Sequence, residues 1–136
     1  MKSTESVLVV DDQELIREIL VKIVEREGYS VDEAGDGQEA LEKMAEKGYQ
    51  FVISDVKMPR MDGIELLKAI KAQYPETMVL LITAYSGRIG PRMALEVGAD
   101  CFITKPFKNM EIAQTLRSLS ARREKKLRFR RQSADR

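Results

Sequence analysis

Side chains able to carry charge chemistry stand directly after short apolar runs: Asp11 and Asp12 after Val7-Leu-Val-Val10, Asp55 after Phe51-Val-Ile-Ser54, Thr83 after Met78-Val-Leu-Leu-Ile82, and Lys105 after Cys101-Phe-Ile-Thr104. Three carboxylates brought close together repel unless a cation joins them. An oxygen-only, carboxylate-rich set with open positions suits a hard divalent ion, and Mg²⁺ in particular keeps waters and shares its shell with phosphate oxygens. The Lys105 ammonium and the Thr83 hydroxyl then meet the remaining phosphoryl oxygens. A carboxylate beside a metal is a competent nucleophile toward phosphorus and forms an acyl phosphate. Asp55 is the candidate nucleophile, lying between the Asp11/Asp12 pair on one side and Thr83 and Lys105 on the other. Such a transfer needs positioning and charge neutralisation more than acid-base chemistry. It therefore suits a chain of 136 residues with no histidine, a composition that excludes imidazole metal sites and Ser-His or Cys-His nucleophiles.

Those residues need a frame that gathers them. The runs at Val7–Val10, Tyr29–Ala34, Phe51–Ser54, Met78–Ile82 and Cys101–Thr104 read as five strands. Helical periodicity separates them: Leu15, Ile16, Ile19, Leu20, Ile23 and Val24 form one stripe, then Ala40, Leu41 and Met44, then Ile64, Leu67 and Ile70. Gly28, Gly48 and Gly98 stand where helices should stop. A fourth helix is expected with Pro91 in its first turn, after a loop containing Gly87 and Gly90. A fifth starts near Asn109 as N-cap, with Glu111 in its first turn and Ile112, Leu116 and Leu119 on its apolar face. Near-continuous apolar strands joined by helices imply a parallel sheet covered on both faces. Right-handed crossovers make this (βα)5 chain a doubly wound α/β sandwich. Its ligand crevice lies outside the carboxyl ends of the strands, where the candidate residues fall.

At this level of detail the chain resembles the receiver domain of two-component response regulators, of the chemotaxis-regulator-like kind. Val-Val-Asp11-Asp12, Ser-Asp55-Val-Lys-Met-Pro59-x-Met-Asp-Gly63, Ile-Thr83-Ala, Gly98-Ala-Asp and Thr-Lys105-Pro106-Phe107 match in order and spacing over about residues 5 to 120. The resemblance implies a flavodoxin-like five-stranded parallel sheet of order 2-1-3-4-5. It implies that Asp55 accepts phosphate from a sensor histidine kinase or a histidine phosphotransfer protein. Asp12, Asp55 and the backbone carbonyl of Lys57 would bind Mg²⁺, with Asp11 helping, and Thr83 and Lys105 would contact the phosphoryl group. Phe102 would be the switch aromatic, where many members carry tyrosine, and the Lys57 and Tyr85 side chains would tune phosphoryl lifetime. The bond before Pro106 would be cis. The face built by the fourth helix, fifth strand and fifth helix would control an output domain or a homodimer, in a bacterial cytoplasm.

Other readings compete. Asp11-Asp12 alone reads as a solvated turn and helix cap, Thr83 as a strand-terminal threonine, Lys105 as a surface lysine, Phe102 as core, and Asp62-Gly63 as loop formers that do no chemistry. An Mg²⁺-dependent phosphatase of the haloacid-dehalogenase type also uses an aspartyl phosphate. It generally places a second Asp two residues past the nucleophile, where this chain has Lys57. A flavodoxin-like electron carrier wants a hydroxyl- and glycine-rich phosphate loop where Asp11-Asp12 would repel the flavin phosphate. The single Cys101 favours a reducing compartment. The longest apolar run, Met78–Ile82, is far short of a bilayer span, so neither membrane insertion nor secretion is expected. Residues 1–115 hold 14 Lys+Arg against 20 Asp+Glu, while residues 116–136 hold 9 against 2. The division is therefore a receiver over residues 1–120 and a basic helix extension or linker over 121–136, with no direct nucleic-acid or membrane partner expected.

Overall fold

Val7, Leu8, Val9 and Val10 are completely buried, as the central strand of a sheet covered on both faces requires. The computed structural model describes residues 5–84 and 95–134. In chain order it contains β1 (Ser6–Val10), α1 (Glu14–Arg26), β2 (Ser30–Ala34), α2 (Gly37–Glu46), β3 (Phe51–Asp55), α3 (Gly63–Gln73), β4 (Met78–Ala84), β5 (Cys101–Lys105) and a C-terminal helix (Asn109–Ala134). The strands form one parallel sheet in the order β2-β1-β3-β4-β5.

Side-chain alternation splits the core in two. Val7, Val9, Phe51, Ile53, Leu80, Ile82 and Ile103 pack beneath α1 and the C-terminal helix, against Leu20, Val24, Ile112 and Leu116. Leu8, Val10, Val52, Val79 and Leu81 pack on the opposite face, against Ala40, Met44, Leu66, Leu67 and Ile70 of α2 and α3. The switch in winding at β1/β3 puts the carboxyl ends of β1 and β3 beside a crevice.

Several boundaries differ from the sequence expectation. Asp55, Thr83 and Lys105 lie inside the last turns of β3, β4 and β5 rather than after them, because ladder bonds continue through these residues. Asn109 is the first helical residue rather than the cap, and the first bonds go to the Lys108 carbonyl. Gly28 and Gly98 do adopt positive φ, 94° and 113°, at helix ends. The α1 stripe is wider than its buried face: Leu20, Ile23 and Val24 are buried, but Leu15 and Ile19 are 74% and 42% exposed. The expected placement of Gly87, Gly90 and Pro91 lies outside the described residues.

Candidate functional site

The register fixes the site before any side chain is considered. Val10 pairs with Ser54, so Asp11 and Asp55 are each the next residue on adjacent parallel strands. Asp55 pairs with Ile82. On the same alternation, Asp11, Asp55 and Lys105 follow the α1-facing residues Val9, Ile53 and Ile103. Lys105 stands two residues further along β5, and its four-carbon stem reaches back across the strand end. Its Nζ lies 3.2 Å from Asp55 Oδ2 and 4.0 Å from Asp11 Oδ2.

Asp11, Asp12 and Asp55 each offer one carboxylate oxygen to a cluster in which these atoms lie within 4.8 Å of one another. Asp11 and Asp55 are buried and Asp12 is exposed, so the cluster has a closed floor and an open mouth. Asp11 Oδ1 accepts the Gln13 N–H at 2.9 Å, and its carbonyl accepts from Arg17 Nη1 at 2.7 Å. Neither Asp11 nor Asp12 caps α1; Gln13 holds the cap position without a side-chain bond. Burial pushes the Asp11 carboxyl above its ordinary range; the Gln13 bond opposes this, the Asp55 charge adds to it, and Lys105 offsets part. A set of three carboxylates of which Lys105 faces only Asp11 and Asp55 fits a divalent cation.

That imbalance has a measurable consequence. A carboxyl whose folded value is raised withholds stability as pH climbs from the unfolded value of 3.8 through the folded one, and the loss is complete above it. Asp11→Asn keeps an acceptor for Gln13 N–H and removes the charge. Without metal the variant is expected to melt above the wild type at pH 7, and the gain should vanish toward pH 3. Saturating Mg²⁺ should reverse the order. Thermal denaturation with and without chelator checks this, and a lower metal-free melting temperature would mark Asp11 as a structural acceptor instead.

The loop after β3 is held from several sides. Gly63 N–H donates to the Val56 carbonyl at 2.7 Å, and Asp62 forms a reciprocal capping box with Glu65 at the start of α3. Arg60, at φ 66°, pairs with Asp36, the α2 cap whose carboxyl is held below its ordinary range first by the Glu39 N–H and then by Arg60. Lys57 is exposed, and its carbonyl accepts no hydrogen bond among the described residues. Gly63 reads as a loop former in the sequence, yet its need is close approach: a Cβ there would lie 2.3 Å from the Asp55 carbonyl oxygen and 2.8 Å from Val56 Cα. Backbone cannot yield as a flexible side chain can. Gly63→Ala is therefore expected to destabilise by about 3 kcal/mol, the upper range for overpacking. Chemical denaturation should show it, and a change under about 0.5 kcal/mol would refute the tight fit.

Thr83 is buried at the same sheet edge, but it follows Val79 and Leu81 on the opposite alternation, and its hydroxyl donates to the Ala84 carbonyl at 3.2 Å. Phe102 is half-buried against the α2/α3 core, while its neighbour Ile103 is buried in the other. The Lys105–Pro106 bond is cis. Tyr85 lies outside the described residues. So Asp11, Asp12, Asp55 and Lys105 converge, and Thr83 and Phe102 fall on the opposite alternation of β4 and β5.

A family model for the response regulator receiver domain matches residues 7–117. The chain belongs to the response regulator receiver family. It is 37% identical over 118 residues to the alkaline phosphatase synthesis transcriptional regulatory protein PhoP of Bacillus subtilis, covering 87% of this chain and 49% of that protein. It is 36% identical to the transcriptional regulatory protein ResD of the same organism, covering 85% and 48%. This receiver thus spans about half the length of the curated relatives it matches. Among solved structures it resembles the chemotaxis protein CheY4 of Vibrio cholerae, with TM-score 0.78, 34% identity, and 86% and 99% of the two chains covered. It also resembles a CheY-like receiver from Methanospirillum hungatei, with TM-score 0.85, 29% identity, and 91% and 99% covered. These likenesses place the receiver among signalling domains rather than metabolic enzymes, and they give the phosphatase alternative no support. Among the described residues no helix is long and apolar enough to cross a membrane.

Sequence reading missed two supports. Arg17 bridges the Asp11 carbonyl and Glu33, tying α1 to the acidic loop and β2. Asp100 accepts from Val79 N–H and Lys71 Nζ, tying α3 to the entry of β4 and β5. Asp100 falls in the Gly98-Ala-Asp motif, which carried that signal without its partners.

Proposed function

We propose that this receiver takes a phosphoryl group on Asp55 from a phosphohistidine donor and relays its presence to a partner or output domain. The observation that carries the reading is the Lys105 ammonium, 3.2 Å from Asp55 and 4.0 Å from Asp11, at the edge of the Asp11/Asp12/Asp55 cluster. An Asp55 carboxylate oxygen attacks phosphorus, the P–N bond to the donor imidazole breaks, and that nitrogen regains a proton from water. Asp11, Asp12, Asp55 and the Lys57 carbonyl are the groups that would hold Mg²⁺. When bound, the ion supplies neutralisation of the phosphoryl charge. Lys105 holds Asp55 in place beforehand and meets a phosphoryl oxygen afterwards. Thr83 gives up its bond to Ala84 to reach another, and Phe102 repacks in response. The exposed Lys57, with Tyr85, governs how slowly water removes the group.

The donor has a landing surface. Ile19 of α1, 42% exposed, opens onto a depression of about 490 Å³ lined also by Ile16, Lys105, Pro106, Phe107 and Asn109. It sits beside Lys105 and suits the apolar face of a helical donor. The signal leaves through β5 and the C-terminal helix toward an output domain or a second copy, residues 1–120 forming the receiver unit and 121–136 its extension. The test is incubation with Mg²⁺ and acetyl phosphate followed by intact mass and peptide mapping. A hydroxylamine-labile adduct of about 80 Da on Asp55 is expected. No adduct, an adduct elsewhere, or steady turnover of many phosphoesters would overturn the reading.

A further inference from the structure

We propose that the C-terminal basic helix carries a binding surface for single-stranded nucleic acid, with Phe129 as a base-stacking platform and Arg122, Lys125 and Lys126 as phosphate contacts. The proposal stands apart from the phosphorylation site, at the other end of the sheet, and neither depends on the other.

Residues 121–136 read in the sequence as a basic helix extension or linker, and helix continues unbroken from Asn109 to Ala134. Between Arg122 and Arg131 it carries Arg122, Arg123, Lys125, Lys126, Arg128, Arg130 and Arg131 against the single acid Glu124. Two of these cations are committed to the body, Arg123 to Glu5 and Arg130 to Glu76, and Arg122 donates to the Asp100 carbonyl. These ties, with half-buried Leu127, seat one side of the helix on the domain. What remains is a fixed flank, to which Arg122, exposed and engaged with Asp100 through Nη1, still brings its other guanidinium donors. Arg122, Lys125 and Phe129 follow one another at three- and four-residue spacing, which puts them in one row, one residue per 5.4 Å turn. Lys126 and Arg130 border the row. Phe129 is 71% exposed, and it opens onto a depression of about 590 Å³ lined by Arg122, Lys125, Lys126, Phe129 and Arg130. An aromatic ring left in water among four cations is poor packing and a good stacking site: backbone-tracking cations plus an exposed ring are what sequence-tolerant single-strand binders combine.

Physical limits eliminate the nearest alternatives. A duplex offers phosphates but keeps its bases stacked inside, so it leaves the Phe129 ring without a base face to stack on. An interfacial membrane helix needs an apolar face, and here the exposed apolar side chain among those cations is Phe129 alone. Charge separation favours a polyanion at this place, since the tail opposes an acidic body.

The test is fluorescence anisotropy of the full chain with labelled oligo(U) and oligo(dT) of about 15 nucleotides, from 50 to 200 mM salt. Contacts to three or four phosphates predict a log-log salt slope of roughly −2 to −3 on a single strand. Phe129→Ala should weaken binding about tenfold with the slope unchanged, and Phe129→Trp should restore it. Lys125→Ala should lower the slope by about 0.7. Equal affinity for both oligomers would identify a backbone-and-stack site, and preference for oligo(U) an RNA site; both support the proposal. No binding, binding indifferent to Phe129→Ala, tighter binding to duplex, or equal Phe129-dependent binding to phosphatidylserine vesicles or polyglutamate would overturn it. Helicity by circular dichroism and acetyl-phosphate labelling of Asp55 should be unaltered in Phe129→Ala, which separates failure here from failure of the phosphorylation reading.

Discussion

Asp55→Ala and Asp12→Ala should each leave the protein without a phosphoryl adduct, for reasons that Mg²⁺ titration separates. Asp55→Ala removes the nucleophile, so no concentration of metal or acyl phosphate restores the product. Asp12→Ala leaves the nucleophile and its Lys105 partner in place and removes the exposed member of the carboxylate cluster, the one a hydrated ion reaches first. Loss of one preorganised charge-stabilising element lowers such a rate by about 10² to 10³ fold. Because an incomplete oxygen cage binds Mg²⁺ weakly even when intact, Asp12→Ala should recover measurable labelling at high Mg²⁺, while Asp55→Ala should not. Intact mass against Mg²⁺ concentration reads both. Labelling of Asp12→Ala at the wild-type rate and metal dependence would mean that the Asp11/Asp12/Asp55 pocket is not where the ion acts.

The parallel architecture was legible because β1, β3 and β4 are nearly pure apolar runs and the helices between the strands carry 3.6-residue stripes, a pattern that suits a doubly covered sheet; β2, Ser-Val-Asp-Glu-Ala at the sheet edge, is the polar exception. The site was legible for the same reason: Asp11, Asp55 and Lys105 interrupt those runs at equivalent ends. What the pattern could not give was side-chain reach. Nothing in Thr104-Lys105-Pro106 states that Nζ comes back to Asp55, because that depends on the β3–β4–β5 register. Leu15 and Ile19 share the α1 stripe yet stay exposed, because periodicity reports a stripe and not how much of it the sheet covers. Gly63 looked like a turn residue because φ freedom is the commoner use of glycine, whereas here the requirement is backbone contact with Asp55. The tail read as a helix extension or a linker, because a charge run by itself does not say whether it is solvated or docked. Its order comes from tertiary bonds to Glu5, Glu76 and the Asp100 carbonyl, residues 22 to 118 positions away.

Lys105→Ala should separate chemistry from signalling. Its ammonium is the cation that holds Asp55 and faces Asp11, and it is carried on the last residue of β5. Three residues separate it from the C-terminal helix, and one of them, Phe107, packs on the α1-side core. A change of partner by Lys105 therefore pulls on the strand end and on the start of that helix together. When Asp55 gains a phosphoryl group, the ammonium should leave the carboxylate for a phosphoryl oxygen, which carries more charge and gives the stronger charge-assisted bond. The variant keeps the nucleophile and the carboxylate cluster, so it should still be labelled by acetyl phosphate. It should fail to pass the displacement to β5. Amide chemical shifts of residues 95–110, recorded with and without the beryllofluoride phosphoryl mimic, measure that displacement directly. Wild-type shifts across Phe102–Asn109 in Lys105→Ala would show that the signal travels by another route, with Thr83 on the opposite face the next residue to test. Loss of labelling would instead assign Lys105 to the transfer step, where its positive charge would be steadying the transition state rather than reporting the product.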